Sequence, residues 1–441
     1  MYISLSDRRR REDPETSPAG GTTETGATGT PPPPVRRAGR VSSTVVALGF
    51  VSLFTDVSSE ASAAVLPLYL TGALGLSVVA YGVIDGLYQG VSSMVRIAAG
   101  WASDRADRPK RVALVGYGLS ALARIGLLFA TGFAAITAVV VGDRIGKGIR
   151  TAPRDALIAA SAEPAELGRS FGVHRMLDTV GAATGPLIAF VVLLIVPEGY
   201  RTVFVVSLAF ALLGVVVLGA LVPDRRPRAE RATDDAPPAP FRWRLLRAPR
   251  LVRLLVAAGL LGLVTIGDGF LYLALHDRLG FAPMWFPLLF VGTNVVYLAL
   301  AVPIGRLGDR IGGRRVLIGG HVVLLCGYVL ASLPLVGAGA VAASIGCLVL
   351  LGVFYAATDG ILAALASAFV PVEARTSGIA AAQTVVAVTR FVAATTFGLL
   401  WFALGVGPAL LIAAGALAVL IPVAAILLRP RPAEGGASAW T

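Results

Sequence analysis

Apolar residues run in long unbroken stretches along this chain, separated by short polar segments. Many stretches reach the roughly 20 residues a helix needs to cross a bilayer. A membrane span must satisfy its backbone groups internally, which leaves helices or closed barrels. The runs do not alternate, so they select helices. Twelve are predicted, over 42–71, 79–102, 112–131, 135–160, 171–196, 201–222, 251–276, 283–304, 315–334, 340–369, 378–403 and 406–428. The expected fold is an all-α integral membrane protein of twelve transmembrane helices in two six-helix bundles, over 42–222 and 251–428. Residues 1–41 are rich in Pro, Gly, Thr and Arg and read as a disordered tail. A polar linker covers 223–250, and 429–441 form a C-terminal tail.

Of 441 residues, 56% are hydrophobic and only 15% charged, which excludes an ordinary soluble domain. The net charge of +12 would fit nucleic acid in a soluble protein, but no basic stretch with interleaved aromatics lies on a folded domain. The basic residues instead sit in alternate polar segments. Arg36, Arg37 and Arg40 precede helix 1, Arg105, Arg108, Lys110 and Arg111 follow helix 2, and eight Arg from Arg225 to Arg250 lie in the linker. Arg310, Arg314 and Arg315 follow helix 8, and Arg429 and Arg431 follow helix 12. With twelve spans all fall on one side. That predicts an inner (plasma) membrane protein with both termini cytoplasmic. Arg8 to Arg11 read as a basic anchor in the tail. Cys326 and Cys347 lie in apolar runs and read as core residues, and no metal or cofactor site is expected.

One short charged motif occurs twice, half a chain apart. The first copy is Gly100-Trp101-Ala102-Ser103-Asp104-Arg105-Ala106-Asp107-Arg108-Pro109-Lys110-Arg111, and the second is Gly305-Arg306-Leu307-Gly308-Asp309-Arg310-Ile311-Gly312-Gly313-Arg314-Arg315. Pro164, Glu166, Arg169 and Gly172 before helix 5 are echoed by Pro371, Glu373, Arg375 and Gly378 before helix 11. Two similar bundles were joined, and folds of that kind place the substrate between the halves.

Over 42–428 the chain resembles the major facilitator superfamily of transporters, in the manner of bacterial drug and metabolite exporters. The repeated motif is similar to the family's G-x-x-x-D-R-x-G-R-R signature. In the first copy Asp107 stands where Gly is usual and Pro109 is inserted; in the second Gly313 replaces a basic residue. The resemblance implies two pseudo-symmetric bundles. It also implies that Asp104, Arg105, Asp309 and Arg310 act as a latch holding the cytoplasmic side closed, beyond their value as a topology signal. In physical terms, Asp104 would meet the start of helix 11 near Ser377-Gly378. Asp309 would meet the start of helix 5 near Ser170.

Charges inside spans are costly and face partners or wet cavities. Helix 4 reads Gly142-Asp143-Arg144-Ile145-Gly146-Lys147-Gly148-Ile149-Arg150-Thr151-Ala152-Pro153-Arg154-Asp155. Asp143, Lys147, Arg150 and Arg154 share one face by spacing. Arg144 to Gly148 resembles the family's R-x-x-x-G signature, which implies a proton-coupling role for Arg144. Asp56 and Glu60, one turn apart on helix 1, and Asp85 on helix 2 are the candidate proton-coupling carboxylates, or members of a fixed ion-pair network. His174 and Asp178 on helix 5 are a relay or a structural cluster with Arg175. Tyr88, Gln89, Lys147, Arg150, Asp268, Asn294, Tyr355, Asp359, Gln383 and Arg390 are the candidate substrate-cavity residues.

On helix 5, Gly172, Gly181, Gly185-Pro186 and Ala189 resemble the superfamily's antiporter signature, with Ala189 in a Gly position. Gly181 and Gly185 are expected to bring helix 5 close to a neighbour across the half interface, with a bend at Pro186. Gly82, Gly86 and Gly90 on helix 2 read as packing. The resemblance implies a secondary active transporter, a monomer exporting a small molecule by proton antiport. A proton-coupled symporter or facilitator importing a metabolite stays open. A receptor without transport, or a lipid-acting membrane enzyme, is the other class. The enzyme reading is disfavoured because His174, His276 and His321 are far apart and no nucleophile with a base is evident.

Overall fold

The computed structural model describes residues 41–103, 109–163, 166–223, 247–371 and 375–429. Among them run thirteen α-helices. They are α1 (Ser43–Leu68), α2 (Val78–Ser103), α3 (Pro109–Phe129), α4 (Gly132–Ser161), α5 (Leu167–Ile195), α6 (Tyr200–Leu221), α7 (Pro249–Gly262), α8 (Asp268–Leu279), α9 (Phe286–Ile311), α10 (Gly313–Ser332), α11 (Gly337–Ala368), α12 (Arg375–Leu404) and α13 (Val406–Leu427). Each corresponds to one predicted helix except α7 and α8, which divide the seventh.

The seventh helix, expected to run unbroken over 251–276, opens at Leu263 to Gly267. Neighbouring groups take up the freed backbone there. Tyr328 Oη accepts from the Ile266 N–H at 2.8 Å, and Thr265 Oγ1 donates to the Leu261 carbonyl at 2.8 Å. Such a break is tolerated at membrane depth only where protein buries it or a cavity borders it.

Nine helical segments of the described residues are long and apolar enough to span a bilayer. The α2, α4 and α7–α8 segments are not among them. The reason is plain for α4, whose thirty residues make a helix about 45 Å long but carry Asp143, Arg144, Lys147 and Arg150. Large apolar side chains such as Val115, Phe129, Val216, Phe402 and Ile426 lie exposed on the helices, as a lipid-facing surface requires.

The helices α1–α6 pack among themselves, as do α7–α13, and the halves meet along two seams, α2 on α12 and α5 on α9. Gly86 makes the first seam possible: a Cβ there would lie 2.9 Å from Phe391 Cα. Gly82 abuts the Ala394 carbonyl and Gly398 abuts Val78, so α2 and α12 run antiparallel. The α2 start and the α12 end therefore share one face, here the loop face. The α1 start, the α2 end and the α12 start share the other, here the terminal face. The approaches at Gly82 and Gly398 lie toward the loop face, where Phe190 of α5 also packs on Trp285 at 5.4 Å between ring centres.

The sequence reading expected Gly181 and Gly185 of α5 at the half interface, and the structure places them elsewhere. A Cβ on Gly185 would lie 2.9 Å from the Val57 carbonyl, and Gly181 abuts Leu53. Both pack α5 against α1 of the same half. The small residues lie on one helical stripe, and that stripe is turned inward within the bundle, leaving other faces of α5 for α9.

Candidate functional site

A cavity of about 300 Å³ lies between the halves. The first half contributes Glu60, Ala63, Leu66 and Pro67 of α1, Tyr81, Asp85, Tyr88, Gln89 and Ser92 of α2, and Arg144 and Lys147 of α4. The second contributes Asp268, Gly269 and Tyr272 of α8 and Phe290, Thr293 and Asn294 of α9. Its size suits a small organic molecule. The α7–α8 break borders it directly: Asp268 opens α8, and a Cβ on Gly267 would strike an Asp85 carboxylate oxygen. Tyr272 Oη donates to Thr293 Oγ1 at 2.7 Å, tying α8 to α9. Tyr355 donates to the Asp268 carboxylate, which anchors that wall from α11.

Arg144 is held in place by a buried ion triad. Its Nη2 and Nε lie 2.6 and 3.1 Å from Asp143 Oδ2. Arg124 of α3 reaches the same oxygen at 3.2 Å and donates to Ser58 and Ser59 Oγ, each at 3.3 Å. All three charged residues are 3–5% exposed. The Arg144 guanidinium carbon lies 3.6 Å from the centre of the Tyr88 ring, a close cation–π stack. Gly116 and Gly146 let α3 and α4 touch at this level; a Cβ on either would meet the other's backbone within 2.8 Å. That approach brings Arg124 within reach of Asp143.

The triad was only half legible. Arg124 was missed, although an Arg inside the apolar run Ala121 to Leu128 is itself a signal. The charged face proposed for α4 also divides. Asp143 meets Arg124, and Arg150 donates to Ser120 Oγ at 3.2 Å and sits over the Tyr117 ring at 4.8 Å, so both turn to α3. Lys147 and Arg144 turn to the cavity. At roughly 100° per residue the stripe is real, but it points to the edge between α3 and the cavity.

Of the candidate proton-coupling residues, Glu60, Asp85 and Arg144 line the cavity and Asp56 does not. Of the candidate substrate residues, Tyr88, Gln89, Lys147, Asp268 and Asn294 line it. Arg150, Tyr355, Asp359, Gln383 and Arg390 do not. Tyr355 touches Asp268, and the Arg390 guanidinium lies 5.9 Å from the Tyr355 ring centre, so these two back the α8 wall. Asp359 and Gln383 are exposed. Tyr88 Oη and one Asp85 oxygen are buried with no partner among the described residues.

The latch candidates Asp104 and Arg105 lie outside the described residues. Asp309 and Arg310 are exposed at the end of α9, while Ser170 is 1% exposed. Asp309 forms no ion pair with any described residue.

Two helical bundles around a polar cavity, with buried charge on one wall and a broken helix on the other, define a polytopic membrane carrier. The sequence matches the family described as Major Facilitator Superfamily over residues 48–293 and 286–440. The chain belongs to the major facilitator superfamily and is of its transporter class. It is 27% identical over 367 residues to an uncharacterized MFS-type transporter of Methanocaldococcus jannaschii, covering 82% of this chain and 89% of the relative. The fold matches the nucleoside transporter NupG with a TM-score of 0.72 at 14% identity, covering 88% of this chain and 100% of that one. A POT family transporter in complex with 5-aminolevulinic acid matches with a TM-score of 0.69 at 15% identity, covering 87% and 95%.

Proposed function

We propose that the protein exports a small molecule by alternating access in exchange for protons. It works as a monomer in the plasma membrane, with both termini and the linker in the cytoplasm. The cavity carries this proposal: it sets the carboxylates Glu60, Asp85 and Asp268 against the cations Arg144 and Lys147 between the two bundles. Carboxylates at membrane depth can gain and lose a proton as the surroundings change, and an adjacent Arg biases that exchange. Asp56 and Glu60 are the proposed carriers, with Asp85 in support and Arg144 as the responsive cation. The cavity polar groups from Tyr88 to Asn294 hold the substrate. Positive charge on the terminal face supports a cytoplasmic assignment of that face. The helix 5 pattern from Gly172 to Pro186 supports outward exchange. Asp104, Arg105, Asp309 and Arg310 would latch the terminal face. No bond is made or broken on the substrate.

A growth comparison of deletion and overexpressing strains against toxic compounds and metabolites supplies the substrate. Asp56→Asn and Glu60→Gln should then abolish pH-driven accumulation while downhill exchange persists. Accumulation against a gradient by both variants would overturn the assignment of the carriers.

A further inference from the structure

The start of α8 forms one wall of the cavity, and two carboxylates meet there. Gly267 abuts an Asp85 carboxylate oxygen and Gly269 abuts the Tyr81 hydroxyl, so the first turn of α8 is pressed onto α2 at both points. Asp268 stands between those glycines and lines the cavity together with Asp85. Rings flank both carboxylates. Tyr81 and Tyr88 lie four residues before and three after Asp85 on α2, and Tyr272 lies four after Asp268 on α8. Those spacings put each ring on the helix face of its carboxylate. Tyr272 gives its hydroxyl to Thr293 and packs nearly perpendicular to Phe290, ring centres 4.6 Å apart, which makes an aromatic corner beside Asp268.

Neither carboxylate forms an ion pair with any described residue. Asp268 accepts from the neutral Tyr355 hydroxyl, and Asp85 Oδ2 is buried with no hydrogen-bond partner among the described residues. The positive groups of the cavity stand on the α4 wall instead. There Arg144 commits Nε and Nη2 to Asp143 and its flat face to Tyr88. The Asp143 triad supplies one net positive charge and Lys147 a second, against three carboxylates when Glu60, Asp85 and Asp268 are all ionised. A buried anion in excess calls for a cation from outside. Aromatic faces attract a cation and repel an anion. Carboxylate oxygens with few donors call for N–H groups, which an ammonium carries along with the charge.

We infer that the cargo is a small protonated amine with an apolar or aromatic body. Its ammonium seats between Asp85 and Asp268, and its body lies against Tyr272 and Phe290. The inference rests on the carrier reading above and gives the cargo a chemical class. The seat is divided between the halves, with Asp85 in the first and Asp268 in the second, so a bound ammonium bridges them beside the break in the seventh span.

The test reads binding alone. Full-length protein in nanodiscs is titrated at neutral pH with labelled tyramine and, separately, labelled hexylamine, by scintillation proximity. At least one should bind saturably and be displaced by the unlabelled amine. Tyrosol and hexanol, which carry a hydroxyl in place of the ammonium, should not displace it, nor should the acids hydroxyphenylacetate and hexanoate. Asp85→Asn and Asp268→Asn should each weaken binding about tenfold or more, the loss of one charged hydrogen bond. Asp277→Asn, at an exposed carboxylate of the same helix as Asp268, should leave it unchanged. Absence of saturable binding by both amines, displacement by the alcohols or acids as strong as by the amine, or an affinity indifferent to both Asn variants overturns the seat. Should either variant fail to fold, carbodiimide modification of that residue in wild-type protein, mapped by mass spectrometry, takes its place. The amine should slow the modification and the matching alcohol should not; equal rates with both overturn the seat. Should the amine bind in this way while flux ignores a pH gradient, proton exchange falls and the seat stands. Should a pH gradient drive accumulation of compounds none of which is an amine, the seat falls and proton exchange stands.

Discussion

Replacing Asp143 by Asn removes the anion that two buried guanidinium groups share. Arg124 and Arg144 both donate to Asp143 Oδ2, at 3.2 and 2.6 Å, and none of the three is more than 5% exposed. Asn keeps the shape, so the effect is one of charge. Stranding buried charge by removing one partner costs about 3–5 kcal/mol. Replacing Arg124 by Met acts differently, because the two close Arg144 bonds to Asp143 remain at 1:1 charge. The loss is one long charged hydrogen bond and two more to Ser58 and Ser59, about 1.5–4.5 kcal/mol in total at about 0.5–1.5 kcal/mol for each long bond. The double variant leaves Arg144 alone, stacked on Tyr88 beside the cavity, and should be less damaged than the sum of the singles by about 0.5–3 kcal/mol. Denaturant titration of the four purified proteins in one detergent measures the order. An Asp143→Asn variant within about 0.5 kcal/mol of wild type, or an Arg124→Met variant more damaged than it, would refute the triad as an electrostatic unit.

Other perturbations test the seams and the sidedness. Gly86→Leu should separate α2 from α12 and abolish transport, whereas Gly90→Ala should be tolerated, since the nearest atom to a Cβ there is 3.6 Å away; equal activity of the two variants in flux measurements would contradict the seam. Single cysteines in the 223–250 linker, in a background lacking the exposed Cys326, should react with an impermeant thiol reagent only in inside-out vesicles, and labelling of intact cells would reverse the topology. Asp309→Asn should slow turnover without lowering thermal stability, because Asp309 is exposed and unpaired with any described charge here; wild-type flux from correctly inserted protein would remove it from the latch.

The helices and the central cavity were legible because membrane spans are written in long apolar runs and because charge inside such runs has few reasons to exist. Glu60, Asp85, Lys147 and Asp268 stand out in this way, and each borders the cavity. Direction around the helix was harder to read. The spacing on α4 fixed which charges share a face, but not that the face points between α3 and the cavity. On α5 the glycine stripe was visible while its partner, α1, was not. Arg124 escaped because one charge in an apolar run carries no partner's address. The break between α7 and α8 escaped because Leu263 to Gly267 is as apolar as its flanks; only the tertiary partner Tyr328 makes an unwound turn affordable there.

Direction and driving force can be measured together without naming a substrate beforehand. Everted membrane vesicles carrying the protein are energised to be acid inside, incubated with a small-molecule extract of the host cell, washed and analysed by mass spectrometry. Proton exchange predicts at least one compound that accumulates with wild-type protein, disappears with a protonophore and is missing with Asp56→Asn. Accumulation that survives collapse of the gradient, or that occurs only in right-side-out vesicles, would contradict proton-driven export.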